Sequence, residues 1–446
     1  MSTLPSCPDH PDRSFPRLHP RPAKGWLNDP NGIHHVDGRW HVFFQYNPDS
    51  ARHDRIVWGQ VSSADLLNWT EEGIAIAPQP GTGDEFGCWT GVGVLDDGVP
   101  ILLYSGVRDD SGRSEVMLAR REGDRFQQSP HVVAPMPDDA SVVIVRDPFV
   151  FEVEGRRWGI QCGGLASGEP AVLLYDAADL TSWKYQGLLL DGTDEVAATL
   201  PPANAWECPQ LVPVGDEWVL IVSFWVAGEL TGTGYLLGSL EVRDGLPRYE
   251  PRVAGLLDDG PSFYAPQAVR AGGADGDPER VLLWGWAREA TTEGVRERSA
   301  EDADIVGWSG MLTSVRELVV DGDVVRTVPA RELVQLRGEL LVGELGRLRG
   351  ESFTGDMLPD QAEAVLSGTG AAELRLAADG EPGQLVWRGE LSGGTTRILL
   401  DASLIEVFPE GATSTTLRVY PADGESYRLI VGPGVRAEAW RLRLPE

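Results

Sequence analysis

NDPNG (28–32) followed by DGRWHVFFQY (37–46) is the stretch that decides the fold. The first piece is polar and turn-like. The second follows an Asp-Gly turn and is rich in Val, Phe, Tyr and Trp, which is strand and hairpin chemistry. The pairing recurs along the chain. Further apolar runs are DDGVPILLYSG (96–106), EGRRWGIQCGG (154–164), GDEWVLIVSFW (215–225) and DPERVLLWGWA (277–287), spaced by about 60 residues. Ahead of each lies a short polar or aromatic segment: CWTG (88–91), RDPF (146–149), ECPQ (207–210) and YAPQ (264–267). DLLNW (65–69) and DLTSW (179–183) repeat two units apart, where a strand leaves a short turn.

Five β units of this size, with almost no helical periodicity, predict a five-bladed β-propeller. The first strand of every blade lines the central channel. Equivalent positions in different blades therefore meet around the axis. If the polar segments are those strands, Asp29, Asp147 and Glu207 share one funnel although 118 and 60 residues separate them. Pro30, Pro148, Pro209 and Pro266 suit an inner edge whose backbone donors are unpaired.

The repeat ends near residue 325. VPARELVQLRGELLVGEL (328–345) has helix-forming composition and reads as a linker. After it come alternating stretches such as AELRLAA (372–378), GQLVWRG (383–389), STTLRVYP (414–421) and YRLIVG (427–432), which read as a β-sandwich. The expected organisation is all-β. It comprises a tail over 1–17, a propeller over 18–327, a linker over 328–340 and a C-terminal β-sandwich over 341–446.

Composition narrows the function. The formal charge is 38 − 68 = −30 over 446 residues, which repels nucleic acid and anionic membranes and leaves a neutral small-molecule sugar acceptable. Most of the 15 Trp are expected in the core, with a few as sugar-stacking faces. Cys7, Cys88, Cys162 and Cys208 show no CxxC spacing, so neither a metal site nor a disulfide framework is expected. No cofactor is called for. Residues 1–20 hold no apolar run, and no stretch reaches transmembrane length, so the expectation is a soluble cytoplasmic protein. The oligomeric state is not legible.

Cleavage of a glycosidic bond with retention needs two carboxylates about 5–5.5 Å apart, one a nucleophile and one an acid/base. Asp29 lies between Asn28 and Asn31, whose amides can orient an ionised carboxylate, although Asp-Pro-Asn-Gly is also a turn sequence. Asp147 follows Arg146, a neighbour that would hold it negative, or the two form a strand-end salt bridge. Glu207 sits between Trp206 and Cys208, surroundings that favour the protonated carboxyl of a general acid; an edge-strand Glu is the plain alternative. Their occurrence in register favours chemistry over three unrelated structural roles.

GWLNDPNG (25–32), FFQYNP (43–48), RDP (146–148), WECP (206–209), FYAPQ (263–267), WGW (284–286) and GWSGMLTSVREL (307–318) together resemble the motif series of glycoside hydrolase family 32. LLDASLIEVFPEG (399–411) and LRVYP (417–421) resemble its sandwich domain. The likeness runs in family order from about residue 18 onward. It implies a retaining β-fructofuranosidase with Asp29 as nucleophile, Glu207 as acid/base and Asp147 binding fructose hydroxyls. It also implies that Asn28, Gln45, Trp89, Thr90 and Arg146 line the fructose pocket, with Tyr264 and Trp286 as further walls.

Several positions depart from the family pattern. His53-Asp54-Arg55 stands where Trp-Gly-Asn is usual, Gln60 follows Trp58-Gly59 in place of His, Trp89-Thr90 replaces Phe-Ser, and Gln210 replaces an Asp. These are expected to alter the rim and the leaving-group side. Arg55 is either a phosphate-meeting residue or a surface Arg. Competing readings are a fructosyltransferase or fructan hydrolase on the same scaffold, an inverting arabinan- or xylan-acting propeller, and a catalytically silent fructan binder.

Overall fold

The computed structural model describes residues 10–109, 111, 113–272, 279–341 and 357–444. The start of the tail with Cys7, the first two residues of DPERVLLWGWA, and the junction from 342 into the expected sandwich lie outside them.

Twenty strands form five four-stranded antiparallel blades. Their first strands are Gly25–Val36, Gly87–Asp96, Val142–Val153, Ala205–Val214 and Phe263–Ala271. The predicted apolar runs are the second strands: Arg39–Asn47, Val99–Val107, Arg156–Leu165, Glu217–Val226 and Arg280–Ala287. Each second strand is covered on both faces, by its own blade's neighbours in the packed ring. This is why these strands read as continuous apolar runs and not as alternation. Phe43, Phe44, Leu102, Leu103, Leu220, Ile221, Leu282 and Leu283 are at most 0% exposed. Each such side chain contributes about 1.5–3 kcal/mol of burial free energy. DLLNW and DLTSW form the turns between third and fourth strands of blades 1 and 3. Trp308–Ser309, which follows the second strand of blade 5, pairs in parallel with Gly25–Trp26 of blade 1 and closes the ring.

All five first strands carry a β-bulge against their second strands, and the bulge sits at the polar segment. A bulge inserts one extra residue and re-aims the side chains around it. In blades 3, 4 and 5 the residue before the Pro takes a left-handed backbone: φ is 59° at Asp147, 49° at Cys208 and 45° at Ala265. Its amide leaves the ladder and reaches the preceding blade. Asp147 N donates to Ser105 Oγ at 2.7 Å, Cys208 N to Asp147 Oδ2 at 3.0 Å, and Ala265 N to Ser223 Oγ at 3.0 Å. The Pro beside it has no donor to lose. One local device thus aims the side chains inward and ties adjacent blades together.

The expected linker helix is only a short 3-10 turn, Arg331–Leu336. Arg337–Leu340 then joins the C-terminal sheet by pairing with Val435–Leu442. Helix propensity here yields to strand pairing, as tertiary context commonly overrides it. The C-terminal unit is built on a long hairpin, Gln361–Ala378 with Gln384–Asp401. One half of Gln361–Ala378 pairs with Val435–Leu442 and the other with Glu425–Val431, so this one long strand joins both to the eight-stranded C-terminal sheet. It bends at Gly368 (φ 105°), where a Cβ would stand 2.2 Å from the Gly434 carbonyl oxygen.

Arg316, fully buried, pins the two units together. It donates to Asp258 Oδ2 at 2.9 Å and to Glu406 Oε1 at 2.7 Å, so blades 4 and 5 and the sandwich share one guanidinium. His19 adds to the knot, with Nδ1 2.7 Å from Asp401 Oδ2 and Nε2 3.3 Å from Glu406 Oε2.

Candidate active site

A cavity of about 440 Å³ opens where the first strands converge. Asp29, Asp147 and Glu207 all line it, from blades 1, 3 and 4. Asn28, Trp89, Arg146, Tyr264 and Trp286 line it as well.

Asp29 is held by its Oδ2. Thr90 Oγ1 donates to it at 2.5 Å and Gln45 Nε2 at 3.1 Å. Gln45 and Thr90 therefore stand behind the carboxylate, not on the cavity wall where the family resemblance puts them. They are 3% exposed each, because the re-aimed Asp29 lies between them and the opening. Asn28 flanks Asp29 as expected, its Oδ1 held by Trp26 Nε1 at 2.8 Å. Asn31 does not. It is fully buried and its Oδ1 accepts from Gly91 N at 3.1 Å, tying blade 1 to blade 2.

Glu207 is gripped at both oxygens. Arg146 donates to Oε1 from Nε at 2.8 Å and Nη2 at 2.7 Å, and Tyr264 donates its hydroxyl to Oε2 at 2.6 Å. Besides the flanking Trp206 and Cys208 read from the sequence, a guanidinium and a phenol reach this carboxyl. The guanidinium expected to serve Asp147 is spent on Glu207, because the bulge turns Arg146 toward the channel.

Burial sets the remaining electrostatics. It pushes the Asp29 carboxyl up to about 6; the Thr90 hydroxyl opposes the rise and the Glu207 charge adds to it. Asp147 is also raised, by burial first and by Glu207 second, against the pull of Arg146. The expectation that Arg146 holds Asp147 firmly negative is overturned, because desolvation outweighs it. The Cys208 thiol lies between the two acids, Sγ 3.7 Å from Asp29 Oδ2 and 3.6 Å from Asp147 Oδ2, and burial drives it well above the ordinary thiol range.

The departures from the family pattern sort themselves by position. His53 lines the cavity, edge-on to Trp26 and Trp89, with Nε2 3.3 Å from Gln45 Oε1. Gln210 does not reach the rim: it is buried between blades, and its Oε1 accepts from Ala268 N at 3.3 Å. Gln60 faces a different cleft, and Arg55 is exposed and absent from the cavity lining. Sequence reading missed Trp26 and Trp225 as walls. Trp26 stood inside the quoted GWLNDPNG motif, and Trp225 ends the fourth apolar run, where the Ala205↔Trp225 pairing carries it beside Glu207. Among the described residues no group of three or more His, Cys, Asp or Glu is arranged to hold a metal ion.

The profile described as the N-terminal domain of glycosyl hydrolases family 32 matches residues 19–329. The chain belongs to that family. A Klebsiella pneumoniae sucrose-6-phosphate hydrolase is 31% identical over 444 residues, covering 92% of this chain and 89% of the relative. An Escherichia coli raffinose invertase is 29% identical over 470 residues, covering 94% and 92%. The structure of a Bombyx mori family 32 β-fructofuranosidase matches the fold with a TM-score of 0.79 at 24% identity, covering 97% of this chain and 94% of that one. This family 32 protein is accordingly an O-glycosyl hydrolase of the β-fructofuranosidase type, with the family's propeller followed by a C-terminal sheet domain. No helix among the described residues is long and apolar enough to cross a membrane.

Proposed function

We propose that the protein releases fructose from small, uncharged β-D-fructofuranosides, sucrose and short fructo-oligosaccharides, by double displacement with retention. The carrying observation is the convergence of Asp29, Asp147 and Glu207 on one cavity. Glu207 gives a proton to the glycosidic oxygen while Asp29 attacks the anomeric carbon, and the leaving sugar departs with that proton. Ionised Glu207 then takes a proton from water, whose oxygen attacks the same carbon and frees Asp29. Asp147 accepts hydrogen bonds from fructose hydroxyls. The unliganded Glu207 is dressed as a carboxylate, with donors on both oxygens. For the first step the proton sits on Oε2 and points at the glycosidic oxygen, while the Tyr264 hydroxyl goes on donating to a lone pair of that same Oε2.

The leaving-group side supports an uncharged sugar. Arg146 is the one Arg or Lys among the described lining residues, and its guanidinium is engaged by Glu207. The remaining walls are largely Trp, Tyr and His, which suit the apolar faces of a sugar. Relatives named for sucrose 6-phosphate make the phosphorylated disaccharide the competing substrate. A cytoplasmic place belongs to the same proposal, supported by buried, unpaired Cys88, Cys162 and Cys208.

The test is fructose release by wild type, Asp29→Asn and Glu207→Gln on sucrose, sucrose 6-phosphate, raffinose, 1-kestose, inulin and levan. Release by wild type that collapses in both variants, with sucrose preferred over its 6-phosphate, supports the reading. Preference for the 6-phosphate overturns the uncharged leaving group. Activity surviving in both variants overturns the residue assignment.

A further inference from the structure

A second cleft, of about 820 Å³, lies between blade 1 and the outer hairpin of blade 2 and shares no lining residue with the catalytic cavity. The chain carries a formal charge of −30, yet this cleft gathers Arg39, Arg121 and Arg125. Its two acids are Glu72, which accepts the Ser62 hydroxyl at 2.6 Å, and Asp124, so three guanidiniums face two carboxyls. Arg39 spends two nitrogens on the same hydroxyl, at 3.1 and 2.8 Å, and not on a carboxylate. Among the described residues, Arg121 donates to the exposed Asp37 at 3.1 Å and to the Gly123 carbonyl at 3.0 Å.

The floor is a stacked pair of imidazoles, His34 and His41, with centroids 5.2 Å apart. His34 is 4% exposed, and its Nδ1 lies 2.8 Å from the Gly32 carbonyl oxygen, so Nδ1 carries the hydrogen. His41 Nδ1 lies 2.9 Å from Gln60 Nε2; with the amide donating, the His41 hydrogen sits on Nε2. Burial holds both rings neutral, and Arg121 adds to that. Phe126 supplies one apolar wall.

We propose that this cleft binds a phosphomonoester or phosphate dianion, at a site separate from the catalytic cavity. Guanidinium forks match phosphate oxygens in pairs, and those of Arg39, Arg121 and Arg125 are not locked to buried carboxylates. The neutral His41 N–H adds a donor without adding charge repulsion among the arginines. Two sources share this chemistry, free phosphate and a sugar phosphate. The proposal does not depend on the catalytic reading above.

The test is calorimetric titration of the full chain with inorganic phosphate, fructose 6-phosphate and fructose, in wild type and in the double variant Arg121→Gln with Arg125→Gln. Both arginines border the exposed hairpin of blade 2, and a thermal melt verifies that the variant folds. The expected result is phosphate-dependent binding that the double variant weakens by about a hundredfold, since each charged contact is worth about one decade and two are removed. Tighter binding of fructose 6-phosphate than of phosphate assigns a sugar phosphate; equal binding assigns the free anion. Absence of binding by both phosphate compounds, binding unchanged in the double variant, or fructose binding weakened to the same degree overturns the proposal.

Discussion

Arg146 holds Glu207 by two nitrogens on a single oxygen, Nε at 2.8 Å and Nη2 at 2.7 Å to Oε1. In the proposed mechanism that arrangement leaves Oε2, the oxygen facing Tyr264, to exchange the proton. A lysine in place of Arg146 brings a point charge and no fork. Arg146→Lys is therefore expected to lower kcat/KM for sucrose by about a hundredfold or more, the usual worth of a misplaced general acid. Steady-state kinetics beside a thermal melt check this. A variant that melts like wild type and loses less than tenfold contradicts the role given to the pair.

In the proposed mechanism Asp29 attacks only when ionised. Burial has pushed its carboxyl up to about 6, so activity is expected to fall as pH drops through about 6. The Thr90 hydroxyl works the other way, stabilising the charge. Thr90→Val removes it at nearly constant shape. The acid limb of kcat/KM, which reports the free enzyme, then moves to higher pH. A limb that stays in place or moves down is the contrary outcome.

Asp147 illustrates a stability cost built into the site. Burial, with Glu207 beside it, raises its folded value above the ordinary carboxylate range. An acid raised in this way destabilises the folded protein once it ionises, so its cost is present at neutral pH and fades as pH falls toward 3.8. Asp147→Asn keeps an oxygen for the Cys208 amide and removes the buried charge. The variant is expected to be inactive yet more stable at pH 7 by about 1–3 kcal/mol, with the gap closing toward pH 4. Melting curves at the two pH values decide it.

Much of this was readable from the chain. The five apolar runs located the second strands because a strand covered on both faces must be apolar throughout. The polar segments located the channel because the propeller ring forces equivalent positions together. What local sequence could not supply was direction. Arg146 and Asp147 are adjacent, and simple alternation puts them on opposite faces. The bulge breaks that alternation and sends Arg146 to Glu207. Gln210 read as a rim residue for the same reason, although it lies past the bulge and faces the neighbouring blade. The 328–345 segment read as helical because its partner strand, Val435–Leu442, is about a hundred residues away and invisible locally.

The knot between propeller and sandwich carries its own pH dependence. His19 is buried, and burial alone would lower its value. Asp401 and Glu406 outweigh burial and raise it to about 9 from 6.5. Asp401 also accepts the backbone amides of Arg17, Leu18 and His19, at 2.9, 2.8 and 3.1 Å. A histidine raised in the folded state adds stability that is fully present below pH 6.5 and is lost as pH rises through about 9. The amount is on the order of 3 kcal/mol. Glu406 runs the other way: Arg316 and His19 overcome its burial and lower it to about 2, so its share is present above 4.5 and lost as pH falls through about 2. The docked sandwich is therefore expected to be firmest between pH 4.5 and 6.5, the window set by those two groups. His19→Gln should flatten the decline in melting temperature from pH 6.5 to 9. Arg316→Met should instead cost about 3–5 kcal/mol at every pH in that range, because it strands Asp258 and Glu406 as buried charges without a guanidinium. If His19→Gln retains the wild-type slope, the pH dependence resides in other groups and His19 is merely packed against its neighbours.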